Sequence, residues 1–396
     1  MVRLYILFAS IYLLQGVTEV SFLNVYLRNI LSFQPIQIGQ ILFLGGLWFV
    51  FLKPLIGFIA DFWTRFNRRW VMIFGLVCST AGWLVIADAE TAAMMTLGVS
   101  LKVIAIACLD VLIDGMIVIA SNAKNRSFIQ SLVYGCRFGG AMICYPLAGN
   151  WIGAGDNAVA YIQIYYLFSV ISLLVLIPVM IYHEQNGRGD LSEREKEESA
   201  GQGEEKLTMK EKFGQLAHPG FGFLLLLLFL YTLGADTATY FEPIIADRFG
   251  VDFLGGIYFW SYAGIVAGIL TFPLLRLKLS VKTLLVISLF GWCLAEISCL
   301  GMARWNGALI YFWAGFFNAY SGIALLTVAV AMCKIKGIET FAFAFAISIK
   351  NLMYNSSFLI GAYVMETMGI TNLFIISSLC GLLPFLVLHK IDFRDV

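Results

Sequence analysis

Apolar runs of about twenty residues, separated by short polar turns, recur from one end of this chain to the other. A bilayer core about 30 Å thick is crossed by roughly 20 apolar residues in a helix, and runs of that order lie near 4–27, 37–60, 70–88, 92–120, 127–150 and 159–182. Six more lie near 220–243, 253–275, 281–303, 307–333, 338–362 and 370–389. Nothing alternates with the two-residue period of an outer-membrane barrel. The pattern predicts an all-α membrane protein of twelve transmembrane helices: an N-terminal six-helix bundle over 1–182 and a C-terminal one over 220–396. Between them, residues 183–219 hold nine acidic and six basic residues with Gly and Ser. Such a segment buries no core, so it reads as a solvated linker, with a short surface helix over Met209–Leu216.

Charge placement orients the helices. Nineteen of the twenty-six Lys and Arg fall at the termini, in the linker or in turns on that same side. Three (Arg28, Arg248, Arg304) fall on the other side and four within spans (Lys53, Lys102, Arg137, Lys350). By the positive-inside rule both termini are cytoplasmic, which an even number of crossings requires. A hydrophobic fraction of 60% and mean hydropathy of +0.85 agree with a multi-pass membrane chain, and the short loops point to a bacterial inner membrane. The first run lacks a small-residue cleavage site, so it is expected to be retained as a span. Eight cysteines sit in or beside apolar runs without CxxC or Cys/His spacing, which favours buried small hydrophobes over zinc or a disulfide framework. No Walker loop, GxGxxG unit or nucleophile–base arrangement is present, and no basic block suits nucleic acid. The expectation is a monomer with no metal or cofactor, neither an enzyme nor an ATP-driven pump.

Charges inside apolar runs carry the functional signal, because each costs roughly 2.5–3.5 kcal/mol on insertion scales and therefore faces a partner, a cavity or a substrate path. Asp110 and Asp114 stand four residues apart, one helical turn, on a single face. Two carboxylates in low dielectric do not both ionise cheaply, so one is suited to carrying a proton; a structural ion pair with Arg137 or Lys53 is the other reading. Arg137, on the next span, presents a planar fork suited to a carboxylate of a substrate or of Asp110 or Asp114, and Asp114 and Arg137 are expected to approach across a cavity. Gly135, Gly139 and Gly140 around it read as helix-packing positions. In the second half Asp236, Glu242, Glu296, Lys350, Asn351 and Asn355 are the polar intruders, with Lys350 a second substrate-side cation sharing a face with Glu339, and Glu242 read as interfacial. Tyr26, Tyr134, Trp260, Tyr320 and Tyr354 are candidates to stack on a planar ring, and FNAYSG (Phe317–Gly322) has the composition of a broken helix.

The turn after the second span reads LKPLIGFIAD, then FNRRW. Gly57 and Asp61 at i, i+4 followed by Arg65, Arg68 and Arg69 resemble the G-x-x-x-D…R-[KR] loop of the major facilitator superfamily. Gly57 permits close helix approach and Asp61 can pair with a loop arginine, a charge latch for one conformation. The same stretch is similar to K-P-L-x-G-x-x-[SA]-D…F-x-x-R-R of the folate–biopterin transporter family. CLDVLIDGMIVI resembles that family's A-D-[VI]-x-x-D-[GA] helix, with Cys108 and Leu109 where small residues are usual. IQSLVYGCRFGGAMI resembles L-Q-S-x-x-[WY]-G-x-R-x-x-G, and KGIETFAFAFAISIKN resembles P-G-x-E-A-x-x-F-A-x-x-x-S-I-x-N.

The resemblance implies a two-halved carrier that moves a small organic anion by alternating access, with roles for Lys53, Asp61, Asp110, Asp114, Arg137, Glu339 and Asn351. The candidate substrate set is then Arg137, Lys350, Asn351, Lys53, Tyr134 and Tyr354, with Asp110 and Asp114 as proton-coupling groups and H+ as co-substrate. Muropeptide and acetyl-CoA permeases, drug exporters and a non-transporting receptor remain alternative readings.

Overall fold

A computed structural model describes residues 2–19, 22–62, 67–120, 126–155, 157–182, 214, 216, 218–234, 236–333 and 338–391. The first half contains α1 (Val2–Glu19), α2 (Leu23–Val25) running into a π turn (Tyr26–Ile30), α3 (Pro35–Phe62), α4 (Arg68–Ala87), α5 (Ala92–Ala120), α6 (Arg126–Ala154), α7 (Asn157–Leu174) and α8 (Leu176–Ile181). The second contains α9 (Pro219–Thr232), α10 (Ala238–Phe249), α11 (Val251–Arg276), α12 (Val281–Ser298) with a 3-10 turn (Cys299–Gly301), α13 (Gly307–Met332), α14 (Glu339–Cys380) and α15 (Phe385–Leu388). Local chemistry sets several starts. Asn67 accepts from the Arg69 amide at 3.1 Å to cap α4, and Ser280 accepts from Thr283 at 3.1 Å to cap α12. Pro219 opens α9 at the position where its missing N–H costs nothing.

Nine segments among the described residues are long and apolar enough to cross a membrane. One of them, Thr340–Leu388, has 49 residues, far beyond the roughly 20 one crossing needs. Gly369 interrupts it with φ +79, where a side chain would be strained, so the helix is kinked there. The expected first and seventh spans are interrupted. α1 is described as far as Glu19, and Phe22 takes φ +45, an uncommon conformation for a non-glycine residue, before α2 begins. α9 stops at Thr232, and α10 restarts at Ala238 with the Thr239 amide donating to Asp236 at 2.9 Å. The break expected at Phe317–Gly322 is absent: α13 runs continuously from Gly307 to Met332. The expected surface helix at Met209–Leu216 lies mostly outside the described residues.

α3 packs along α5 and α14, α6 along α1 and α11, and α11 along α13, so the two halves meet through α3–α14 and α6–α11. Glycine makes both seams close. A Cβ at Gly57 would stand 3.2 Å from that of Ala344, and one at Gly149 would stand 3.1 Å from the Gly255 Cα. At one end the two halves share a buried cluster. Phe22, Leu27, Trp83, Tyr145, Tyr165, Ile245, Ile257 and Leu373 belong to one apolar cluster drawn from both halves. Toward the end where α1 starts, the core divides. One cluster there holds only first-half residues such as Leu7, Ile11, Met72 and Leu112, and another only second-half residues such as Leu224, Leu285 and Val328.

Candidate functional site

The intramembrane charges gather where α1, α3, α5 and α6 face α10, α11 and α14. Counting 1.5 Å per residue, Lys53, Asp110, Arg137 and Lys350 all sit about 13–17 Å from the nearer end of their helices, a common depth at mid-bilayer.

Asp110 is fixed from two sides. Lys53 Nζ donates to its Oδ2 at 3.0 Å and Gln15 Nε2 to its Oδ1 at 2.6 Å. Lys53 is only 8% exposed, with its Nζ 4.8 Å from the Phe49 ring centroid. Tyr12 OH donates to Asp114 Oδ1 at 2.7 Å. The pair that stacks on one helix face is thus held by different partners: a cation and an amide for Asp110, a phenol for Asp114.

Arg137 does not bond to Asp114. Its charge acts on Asp114 at longer range, and its direct partner is Glu19, at 3.4 Å from Nε and 3.5 Å from a terminal nitrogen. The reason is packing. Gly16 lets the Arg137 backbone carbonyl seat against α1, and Glu19 lies one turn further along that helix, beside the guanidinium. Gly140 also packs on α1, against Leu13, whereas a Cβ at Gly135 or Gly139 would meet nothing within 4 Å. Those two glycines border open space instead of seating a neighbour.

Glu19 is the hub that the sequence did not single out. Its Oε1 accepts from Tyr262 OH at 2.8 Å, and its backbone carbonyl from Tyr145 OH at 3.3 Å. Tyr145 lies stacked between Tyr262 and Tyr258, with centroids 5.4 and 4.3 Å away. Tyr258 OH in turn donates to Glu242, which also accepts from Asn24 Nδ2 at 2.9 Å. Glu242 is therefore not interfacial: at 8% exposure it is tied into both halves. Asn29 extends that seam by donating to Asp247 at 2.7 Å.

Beyond Glu19 a cavity of about 250 Å³ opens at the two helix breaks, lined by Glu19, Phe22, Asn24, Lys102, Tyr145, Asp236, Glu242, Tyr354 and Phe358 among others. Lys102 Nζ sits 4.2 Å from the Trp83 ring centroid. Of the expected ring-stacking residues, Tyr354 lines this cavity and is 50% exposed. Tyr26 packs on Tyr161 and Tyr165; Tyr320 is buried, bonded to Thr271 and stacked on Phe316. Trp260 is 46% exposed and lines no part of the cavity, and the Tyr134 side chain lies outside the described residues.

Lys350 lies 5.8 Å from the Tyr231 ring centroid and close enough to Lys53 and Arg137 to feel both charges. Asn351 Nδ2 is buried without a hydrogen-bond partner. Asn355 instead serves the seam, donating to Gly46 O at 2.6 Å. Glu296 is buried too, accepting from Thr237 and Ser377 at 2.8 Å each, so it braces the break before α10 against α14. In the turn after α3, Gly57 packs on α14 and Arg69 lies at the start of α4, with its guanidinium 3.4 Å from Met180 Sδ. Arg68 makes a contact of its own there. Arg65 and the side chains of Asp61 and Glu339 lie outside the described residues. All eight cysteines are free.

A sequence relative, the folate-biopterin transporter of Synechocystis sp. (strain ATCC 27184 / PCC 6803 / Kazusa), is 26% identical over 412 residues, covering 95% of this chain and 79% of the relative. Among solved structures, a D-xylose-proton symporter superposes with a TM-score of 0.75 at 14% identity, over 99% of this chain and 98% of that one. A point mutant of the nucleoside transporter NupG reaches 0.73 at 15% identity, over 98% of each chain. The xylose transporter XylE from E. coli, in a partially occluded inward open conformation, also reaches 0.73, at 14% identity and 98% of each chain. The family model of the Major Facilitator Superfamily matches residues 4–277, and on that match, with this helical architecture, the chain belongs to the Major Facilitator Superfamily of membrane transporters.

Proposed function

We propose that this protein is a proton-linked secondary transporter of a small organic anion of folate or pterin type, working by alternating access between two six-helix halves. The reading counts twelve crossings. The 49-residue stretch supplies two, α9 with α10 forms one interrupted crossing, and α6 is a crossing made polar by Arg137 and its neighbours. Both termini lie in the cytoplasm, and the host membrane is a bacterial inner membrane, where the chain acts as a monomer.

The observation that carries the reading is the charge constellation at mid-depth. Lys53, Arg137 and Lys350 converge beside two carboxylates that differ in their partners. The three cations attract the substrate anion. Glu19 occupies Arg137 when substrate is absent and yields it when a substrate carboxylate arrives. Asp114, held by a neutral phenol instead of a cation, is the group that takes and releases the proton, while Asp110 holds Lys53 in place. In this reading the shared core at the Asn24–Glu242 end is the outer seal; at the other end the core clusters divide, while α3 and α14 still touch at Gly57–Ala344 and Phe58–Phe341. Gly57, Asp61, Arg65, Arg68 and Arg69 form the latch that governs that inner end.

Counterflow in proteoliposomes tests this. Labelled folate should exchange against internal folate in the intact protein and not in Arg137→Ala. Saturable binding without counterflow would make the protein a receptor and overturn the reading.

A further inference from the structure

The cavity at the helix breaks is ill-suited to the anionic end of a substrate. Three carboxylates (Glu19, Asp236, Glu242) face it against one ammonium, Lys102. A carboxylate entering there would lose hydration and meet like charge. Its volume, about 250 Å³, lies below the roughly 300–1,000 Å³ of sites that enclose a whole drug-sized ligand, so it holds one part of a molecule. Its walls name that part. Phe22, Tyr145, Tyr354 and Phe358 offer aromatic surface, and Tyr145 is braced by its own stack and by its bond to Glu19. A planar group bounded by N–H donors, with a carbonyl at one corner, fits such a lining.

Building on the transport reading, we propose that this chamber binds the heteroaromatic ring of the substrate, with Asp236 and Lys102 reading a 2-amino-4-oxo-pyrimidine edge. The Asp236 carboxylate accepts the ring N3–H and 2-amino hydrogens, as carboxylates do with forked donors, and Lys102 donates to the 4-oxo group. Glu19 and Glu242 are tied to side chains of distant elements and shape the chamber, whereas among the described residues the Asp236 carboxylate bonds only within its own turn, to Thr239, which leaves lone pairs for the ring. Lys102 and Asp110 share α5 eight residues apart, about 12 Å along its axis. A ring at Lys102 therefore places a substrate's carboxylate tail near Arg137, Lys53 and Lys350. The carrier then reads its substrate at two separated ends, ring toward the sealed side and tail toward the cytoplasm. The helix breaks have a use here: the turn at Phe22 and the one after Thr232 border the chamber, and Asp236 sits at the second, accepting from the Thr239 amide.

Fragments separate the two ends. Binding of pterin (ring alone), p-aminobenzoyl-glutamate (tail alone) and folate would be measured by calorimetry on the purified full chain. The panel is the intact protein, Asp236→Asn, Tyr354→Ala and Lys350→Ala. Asparagine keeps the cap on Thr239 but puts an NH2 donor where the ring needs an acceptor, so the fold survives. Asp236→Asn and Tyr354→Ala should weaken pterin and folate at least tenfold and leave the tail fragment within twofold. Lys350→Ala should do the reverse. If Asp236→Asn and Tyr354→Ala leave pterin binding unchanged, or weaken the tail as much as the ring while folate is still carried, the chamber is not the ring site although the transport reading stands. If the intact protein binds none of the three, the substrate reading fails and this inference with it.

Discussion

Replacing Lys53 with methionine keeps an unbranched side chain of similar length and removes the charge that faces Asp110 and the Phe49 ring. At 3.0 Å the attraction is about 5 kcal/mol for an effective dielectric near 20, most of it offsetting the desolvation of two groups held at 10% and 15% side-chain exposure. The net loss is set by what remains: a buried carboxylate with Gln15 as its partner. Stranding one member of a buried pair costs about 3–5 kcal/mol, and the surviving Gln15 bond places Lys53→Met at the low end, near 3. Adding Asp110→Asn removes the stranded charge while keeping the Gln15 bond, so the double variant should return to within about 1 kcal/mol of the parent. Chemical unfolding in detergent micelles reads both at neutral pH. The double variant should stay inactive in transport, since a cation of the constellation is gone. A single variant as stable as the parent at neutral pH, or a double variant as unstable as the single, would refute the argument that this pair carries buried charge.

Three further outcomes follow from the geometry. Glu19→Gln frees Arg137 from a half-exposed pair worth about 1 kcal/mol or less, so folate should bind up to roughly fivefold tighter in calorimetry while turnover falls. Gly57→Leu should block uptake with the protein still folded by circular dichroism, because a side chain there collides with Ala344 and the Thr340 carbonyl; full uptake would deny that α3 and α14 close at this point. Cysteines at Asn29 and Asp247, whose side chains meet at 2.7 Å, should cross-link, stop counterflow and recover on reduction; unchanged counterflow in the cross-linked protein would show that this seam need not open.

Much of the architecture was legible because hydrocarbon thickness leaves few choices: apolar run length placed most helices within a few residues, and the isolated charges Lys53, Asp110, Arg137 and Lys350 lie at one depth, with Asp114 a turn nearer the end of α5. What stayed hidden was pairing. Asp114 and Arg137 looked like partners because they are adjacent in sequence and opposite in sign. The contact of Gly16 with the Arg137 backbone gives Arg137 to Glu19 instead, and no reading of α6 alone reveals that seat. Glu242 looked interfacial from its place before Pro243, yet Asn24 and Tyr258 reach it from distant parts of the chain. The breaks were misassigned for a similar reason. Gly and Asn in FNAYSG suggested one, but both real breaks lack a composition that stands out: one turns on Phe22 at positive φ, the other on Asp236 restarting a helix. Glu19 could have been found by asking which acid of span 1 falls at the depth that Asp236 takes in span 7.

The central claim, that substrate movement is tied to a proton on Asp114, is tested most directly by folate accumulation into proteoliposomes under an imposed pH gradient, acid on the entry side, compared with counterflow at equal pH. The account predicts uphill accumulation that a protonophore collapses in the parent. In Asp114→Asn, which keeps its bond from Tyr12 but holds no titrating proton, counterflow should persist while accumulation is lost. Accumulation by Asp114→Asn to the parent's level, or accumulation in the parent indifferent to the protonophore, would contradict it.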